Sequence, residues 1–251
     1  MIALAGSAGA GCTEVQVAIL GAVDVDRFKT FGFDCCFGAE ASQHELFETS
    51  GVCELLDSAI DGYSATVFAY GQTGSGKTYT MSGNETWLSN PAPASAIVDP
   101  TDGIIQRSAR HVFGAISNVT AQAGLAGGVA ARPLAQSPKF GVRMSFCEIY
   151  NENVFDLLNP DGTALSVRWN AQAGFFVQSL FLVDCDGLDD AMAVIAEGHR
   201  NRTVGGHVLN KDSSRSHSLL TMHIDCESSD PEDGHAVKRF GKVVFVDLAG
   251  R

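Results

Sequence analysis

The chain has 251 residues, 45% of them hydrophobic and 18% charged, which is enough apolar material for one large α/β domain and too much for a disordered segment. Its 29 acidic residues against 17 basic ones give a formal charge of -12, a field that repels nucleic-acid phosphates and leaves an acidic filament approachable only through a local basic face. Seven cysteines without a C-x-x-C pair suggest neither a disulfide framework nor a zinc site, and they point to a reducing compartment.

Met1 to Gly11 has the small residues of a cleavage region but neither a basic start nor a long apolar stretch, so secretion is not expected. No run approaches the ~18 apolar residues of a membrane span. The glycines between residues 6 and 11 follow no strand, so they are read as a flexible end rather than a dinucleotide loop. From Gln43 to Ile60, apolar residues at Leu46, Phe47, Val52, Leu55, Leu56, Ala59 and Ile60 recur at helical spacing, and Asp61-Gly62 stops the helix.

Ser64 to Tyr70 is a short β-rich apolar run, expected as a strand buried on both faces. It feeds into Gly71-Gln-Thr-Gly-Ser-Gly-Lys-Thr78. Residues 82–102 read as a surface excursion, Gly103 to Asn118 as a helix, and the Gly- and Ala-rich stretch 121–138 as a loose insertion. Phe140 to Tyr150 and Phe175 to Val183 are β runs, with a helix expected from Leu188 to Asn201. His217 to Asp225 alternates as a strand does, and Lys242 to Asp247 is a buried-type strand ending in an acid. Interleaved strands and helices predict an α/β fold with a central, largely parallel mixed sheet flanked by helices.

The pattern G-x-x-x-x-G-K-[ST] is met by Gly71, Gly76, Lys77 and Thr78, with Gln72, Thr73, Gly74 and Ser75 between the glycines. Glycines let the chain turn tightly so that backbone N–H groups converge on phosphate oxygens, and a following helix adds its positive end. Lys77 then suits the β and γ phosphates, and the Thr78 hydroxyl suits a magnesium ion. Asn210-Lys-Asp-Ser-Ser-Arg-Ser-His217 gathers hydroxyls, an arginine and a histidine before a strand, as a γ-phosphate-sensing loop would. Val246-Asp247-Leu-Ala-Gly250 suits a strand-end carboxylate followed by a flexible sensor. Taken singly, a Ser-rich turn and an Asp-opened turn are the plainer readings of these two segments. His44, His111, His199 and His207 lack a metal-type spacing and are read as ordinary core or surface residues.

Together, Phe68 to Met81, Asn210 to His217 and Val246 to Gly250 resemble the phosphate loop, switch I and switch II of kinesins. Phe31-Gly-Phe-Asp34, Asp61-Gly-Tyr63, Gly103-Ile-Ile105, Glu148-Ile-Tyr-Asn-Glu152 and Asp156-Leu-Leu158 agree, so the likeness runs from about Phe31 to Gly250, with residues 1–30 poorly matched. The resemblance implies a P-loop NTPase fold, ATP hydrolysis coupled to microtubule binding and movement, and a place on the cytoskeleton in the cytoplasm. It implies that Thr78 and Ser214 ligate Mg2+, that Asp247 reaches the ion through water, and that the Gly250 N–H reads the γ-phosphate. Ser213 positions the lytic water, Arg215 makes the switch contact, and Tyr79 lies near the adenine.

Nothing before Thr30 resembles the family's Arg-x-Arg-Pro element, which contacts adenine, and Arg251 stands where the family continues with Ser and Glu. That Glu is the usual partner of the switch I arginine, here Arg215, and the relay helix and much of the docking face follow it. The expectation is therefore a motor domain ending after switch II, with a nucleotide-binding fragment lacking motility or efficient hydrolysis as the alternative. Gln106, where the family tends to have proline, and Ser64, where it tends to have asparagine, count as minor substitutions. An unrelated P-loop kinase or GTPase would need a phosphoacceptor element or an Asn-Lys-x-Asp stretch, and neither is found.

Overall fold

The computed structural model describes residues 13–18, 28–84, 98–125, 138–172, 174–209, 215–229 and 235–250. The chain divides into two compact units, Met1–Val52 and Cys53–Arg251.

In the first unit, β1 (Glu14–Ala18) and β2 (Phe28–Gly32) pair antiparallel, so the poorly matched N-terminal stretch does contribute a strand. Helix α1 (Gln43–Thr49) is capped by Ser42, whose Oγ accepts from the Glu45 N–H at 3.1 Å. The single helix expected over 43–60 is in fact two. Gly51 takes a positive φ of 85°, and α2 (Val52–Ile60) starts after it.

The second unit is built on a sheet. Strand β3 (Ser64–Ala69) leads through the phosphate loop to α3 (Lys77–Ser82) and then α4 (Ile104–Leu125). Next come β4 (Lys139–Tyr150), β5 (Asn153–Asp156), a separate hairpin of β6 (Val167–Asn170) with β7 (Gly174–Val177), and β8 (Val183–Cys185). Helix α5 (Leu188–Leu209), β9 (His217–Ser229) and β10 (Ala236–Asp247) complete it. The run read as one strand over 175–183 is thus split into β7 and β8. Both long helices outrun their expected ends, α4 reaching into the stretch read as an insertion from residue 121; residues 126–137 of that stretch and 85–97 of the earlier excursion lie outside the described residues.

The sheet order is β3-β10-β9-β4-β5, with β8 also on β4. It is mixed, but not largely parallel as the sequence predicted: β3 and β10 run parallel, and the other pairs of this sheet are antiparallel. Parallel character is therefore confined, among the described strands, to the pair that carries the two nucleotide-site motifs. Register explains the core. Phe146, Leu220 and Phe245 lie side by side across β4, β9 and β10, as do Met144, Met222 and Val243, and all six are buried. Helices seat on this face through glycines. A Cβ on Gly198 of α5 would lie 2.0 Å from the Phe146 ring, and one on Gly241 would lie 1.7 Å from the Ala59 carbonyl oxygen of α2.

Strand β3 corrects an expectation. It is the edge of the described sheet, and Phe68 is 63% exposed and Tyr70 85%, so it is not buried on both faces. A continuous apolar run cannot reveal which neighbours the tertiary structure will supply.

Candidate functional site

The parallel pairing of β3 and β10 ends with Ala69 beside Asp247, so both chains leave the sheet at the same point. The phosphate loop begins at Gly71, two residues beyond Ala69, and the Leu-Ala-Gly turn one residue beyond Asp247. Gly76 caps α3 with a left-handed φ of 92°, which a side chain would strain, and Lys77 opens the helix. The Lys77 ammonium folds back over the loop and donates to the carbonyl oxygens of Gly71 at 3.0 Å and Gln72 at 2.9 Å. Its charge thus sits against the loop backbone. Because α3 is only six residues long, the pull on an anion falls to the loop amides and this lysine rather than to a long helix dipole.

At the loop's far end, the Thr78 hydroxyl donates to Asp247 Oδ2 at 2.7 Å. The same oxygen accepts from Arg202 Nη1 at 2.9 Å, while Asp247 Oδ1 is buried without a hydrogen-bond partner. Arg202 projects from α5, is itself buried, and lies 3.7 Å from Glu148 Oε1 of β4. Its Nη2 donates to the Ser216 carbonyl at 3.4 Å, tying the helix to the start of β9. Two carboxylates around one guanidinium leave a surplus negative charge in a buried setting. An unpaired carboxylate oxygen next to a neutral hydroxyl is a hard-oxygen donor set, so these residues fit a magnesium ion.

Switch II lies against the phosphate loop. A Cβ on Gly250 would come within 2.3 Å of Thr73 Oγ1 and 2.7 Å of both Thr73 Cα and N, so the close approach itself requires glycine. Before it, the Ala249 N–H donates to His217 Nδ1 at 3.0 Å, and the Leu248 N–H reaches the Ala69 carbonyl at 3.4 Å. Beside α3, Gln106 is fully buried in the first turn of α4 and donates from Nε2 to the Ser82 carbonyl at 2.6 Å. This substitution is therefore not minor, because proline has no such donor.

Of the residues singled out from sequence, the structure brings together Lys77, Thr78, Asp247, Gly250 and the loop from Gly71 to Gly76. Tyr79 is more than half exposed on α3, and Arg215 is exposed just before β9. Ser213 and Ser214, like residues 210–212, lie outside the described residues. Sequence reasoning missed Arg202; it placed His217 in the sensing loop without giving it a partner, and it quoted Glu148 only as a family match. A signal for Arg202 was present, since Ala191, Ile195, His199 and Arg202 follow one another along one buried helix stripe, and a charged residue on such a stripe needs a partner.

A family model described as the kinesin motor domain matches residues 16–251, starting ahead of Phe31, where the motifs begin. The mouse kinesin-like protein KIF11 is 34% identical over 249 residues, covering 94% of this chain. KIF3C of the rat is 35% identical over 224 residues and KIN-5A of Arabidopsis thaliana 32% over 231, each covering 88% of this chain. The chain spans about a fifth to a quarter of the length of these curated relatives, from 20% to 24%. A solved structure titled as that of a fast kinesin superposes with a TM-score of 0.74 at 30% identity, over 96% of this chain and 58% of that one. Sequence, fold and the meeting of the two sheet-end motifs agree, and the chain belongs to the kinesin motor domain family.

Proposed function

We propose that this chain binds and hydrolyses ATP as a microtubule motor domain, with Mg2+ as its cofactor and the microtubule as its partner on the cytoskeleton. The observation that carries this reading is the meeting of Thr78 and Asp247 at 2.7 Å beside a second, unpaired carboxylate oxygen, below a loop whose lysine is held over its backbone. That arrangement supplies what phosphoryl transfer asks of a protein: convergent donors, a cation and a metal-binding acid. Family membership supports the same assignment.

In this mechanism the loop amides from Gly71 to Gly76 orient the phosphates, and Lys77 turns from the loop carbonyls to neutralise charge developing on the transferred group. Thr78 and Ser214, with Asp247 through water, would hold Mg2+, which would supply positive charge against the phosphate oxygens. Arg202 fixes the orientation of the Asp247 carboxylate through its bond to Oδ2. The backbone at Gly250, seated on Thr73, offers its N–H toward the γ-phosphate, while Ser213 orients the attacking water and Arg215 closes the switch. The Tyr79 ring stands by the base.

The test is steady-state ATPase measured with and without polymerised microtubules. Turnover is expected to rise on adding microtubules and to fall by about a hundredfold or more in Lys77→Ala. Turnover in Lys77→Ala equal to that of the parent at saturating ATP would end the proposal.

A further inference from the structure

His217 opens β9, opposite Ile149 of β4 and one residue before Ser218, which pairs with Asp247 of β10. It is half-buried there, and its Nδ1 lies 3.0 Å from the Ala249 N–H. A backbone N–H can only donate, so Nδ1 must present a lone pair and the neutral ring carries its proton on Nε2. The bond crosses from the segment that senses the γ-phosphate in switch I to the turn that senses it in switch II.

The next peptide carries the Gly250 N–H. Gly250 is packed on Thr73 so closely that no Cβ fits, which fixes one end of the Ala249–Gly250 unit by contact. His217 fixes the other end by a hydrogen bond. Between these two anchors the peptide has little freedom to rotate, and the direction of the Gly250 N–H follows from both.

We infer that His217 is a positioning residue: by accepting the Ala249 N–H it aims the Gly250 amide at the γ-phosphate and thereby couples the two switch loops. This rests on the function proposed above and deepens it. The nucleotide discrimination it predicts is specific. A chain lacking the acceptor should still bind the diphosphate, whose contacts lie on the phosphate loop, and should lose its preference for the triphosphate.

The experiment compares the parent chain with His217→Leu and His217→Asn, using Mg·ADP, a non-hydrolysable Mg·ATP analogue and Mg·ATP as probes. Asn offers a carbonyl oxygen near the place of Nδ1, so it separates the hydrogen bond from ring packing. The expected result is unchanged ADP affinity in both variants, with turnover and the triphosphate-over-diphosphate preference down about tenfold to a hundredfold in His217→Leu and largely restored in His217→Asn. Triphosphate preference and turnover preserved in His217→Leu, or Asn as impaired as Leu while both bind ADP normally, overturns the role of His217. Nucleotide binding by the parent chain that is indifferent to Lys77→Ala instead overturns the function on which it rests, and the inference with it.

Discussion

The Thr78 hydroxyl donates to Asp247 Oδ2 at 2.7 Å across 169 positions of sequence. The bond joins the end of the phosphate loop to the end of the neighbouring parallel strand, and it sets the frame for every other group at the site. One Asp247 oxygen is shared between Thr78 and Arg202, so the other is left buried without a hydrogen-bond partner. The carboxylate is thereby divided into a structural oxygen and one available to a cation.

Arg202 is the hinge of that division. Arg202→Met leaves buried carboxylate without its cation and is expected to cost about 3–5 kcal/mol of stability, read as a lower urea midpoint. Adding Asp247→Leu to it should recover much of the loss, because the uncompensated charge is gone, while nucleotide turnover is expected to be lost with the Asp247 carboxylate. A double variant no more stable than the single one would show that Arg202 acts through packing rather than through the pair.

Gly250→Ala must push the switch II turn off Thr73, since the new methyl meets backbone atoms at 2.7 Å as well as the Thr73 hydroxyl. Turnover should fall by about a hundredfold with ADP affinity little changed, as expected when a group acting on the reacting phosphate is displaced. Thr73→Ala should not rescue it, because the Thr73 Cα and N remain in place. Recovery in that double variant would place the clash on the side chain alone.

Stability should fall as the solution is acidified from pH 6.5 toward 4. Burial of His199 against Phe146, reinforced by the Arg202 charge, pushes its pKa down from 6.5 to about 4, only partly offset by Asp247. The unfolded chain therefore binds a proton in this window that the folded chain refuses, and protonation favours unfolding as pH drops. His223, also lowered first by burial and then by Arg143 and Lys242 against the opposing Asp225, adds in the same direction. Thermal midpoints measured across this window should slope less steeply in His199→Met than in the parent; equal slopes would assign the acid sensitivity to other groups.

The residues at the site divide by how far their partners lie along the chain. The phosphate loop was legible because strand, glycines, lysine and threonine are adjacent, and local backbone geometry is enough to bring their donors together. The position of Asp247 at a strand end was legible for the same reason, as was the alternation of β9, whose even-numbered residues Leu220, Met222 and Ile224 are buried. The break at Gly51 was less so, because apolar periodicity continues through it and only the backbone conformation interrupts the helix.

By itself, then, the sequence determined the elements whose cause is local: a strand running into a phosphate-binding turn, an acid closing another strand, and the family likeness those motifs carry. Tertiary structure alone decided that Arg202 and Thr78 share one Asp247 oxygen, that His217 receives the Ala249 amide, that Gly250 rests on Thr73, and that β3 forms an exposed edge of the described sheet. Each of these depends on sheet order and register. Pairing between distant strands sets which side chains meet, and burial then makes each unpaired polar group costly enough to fix its partner.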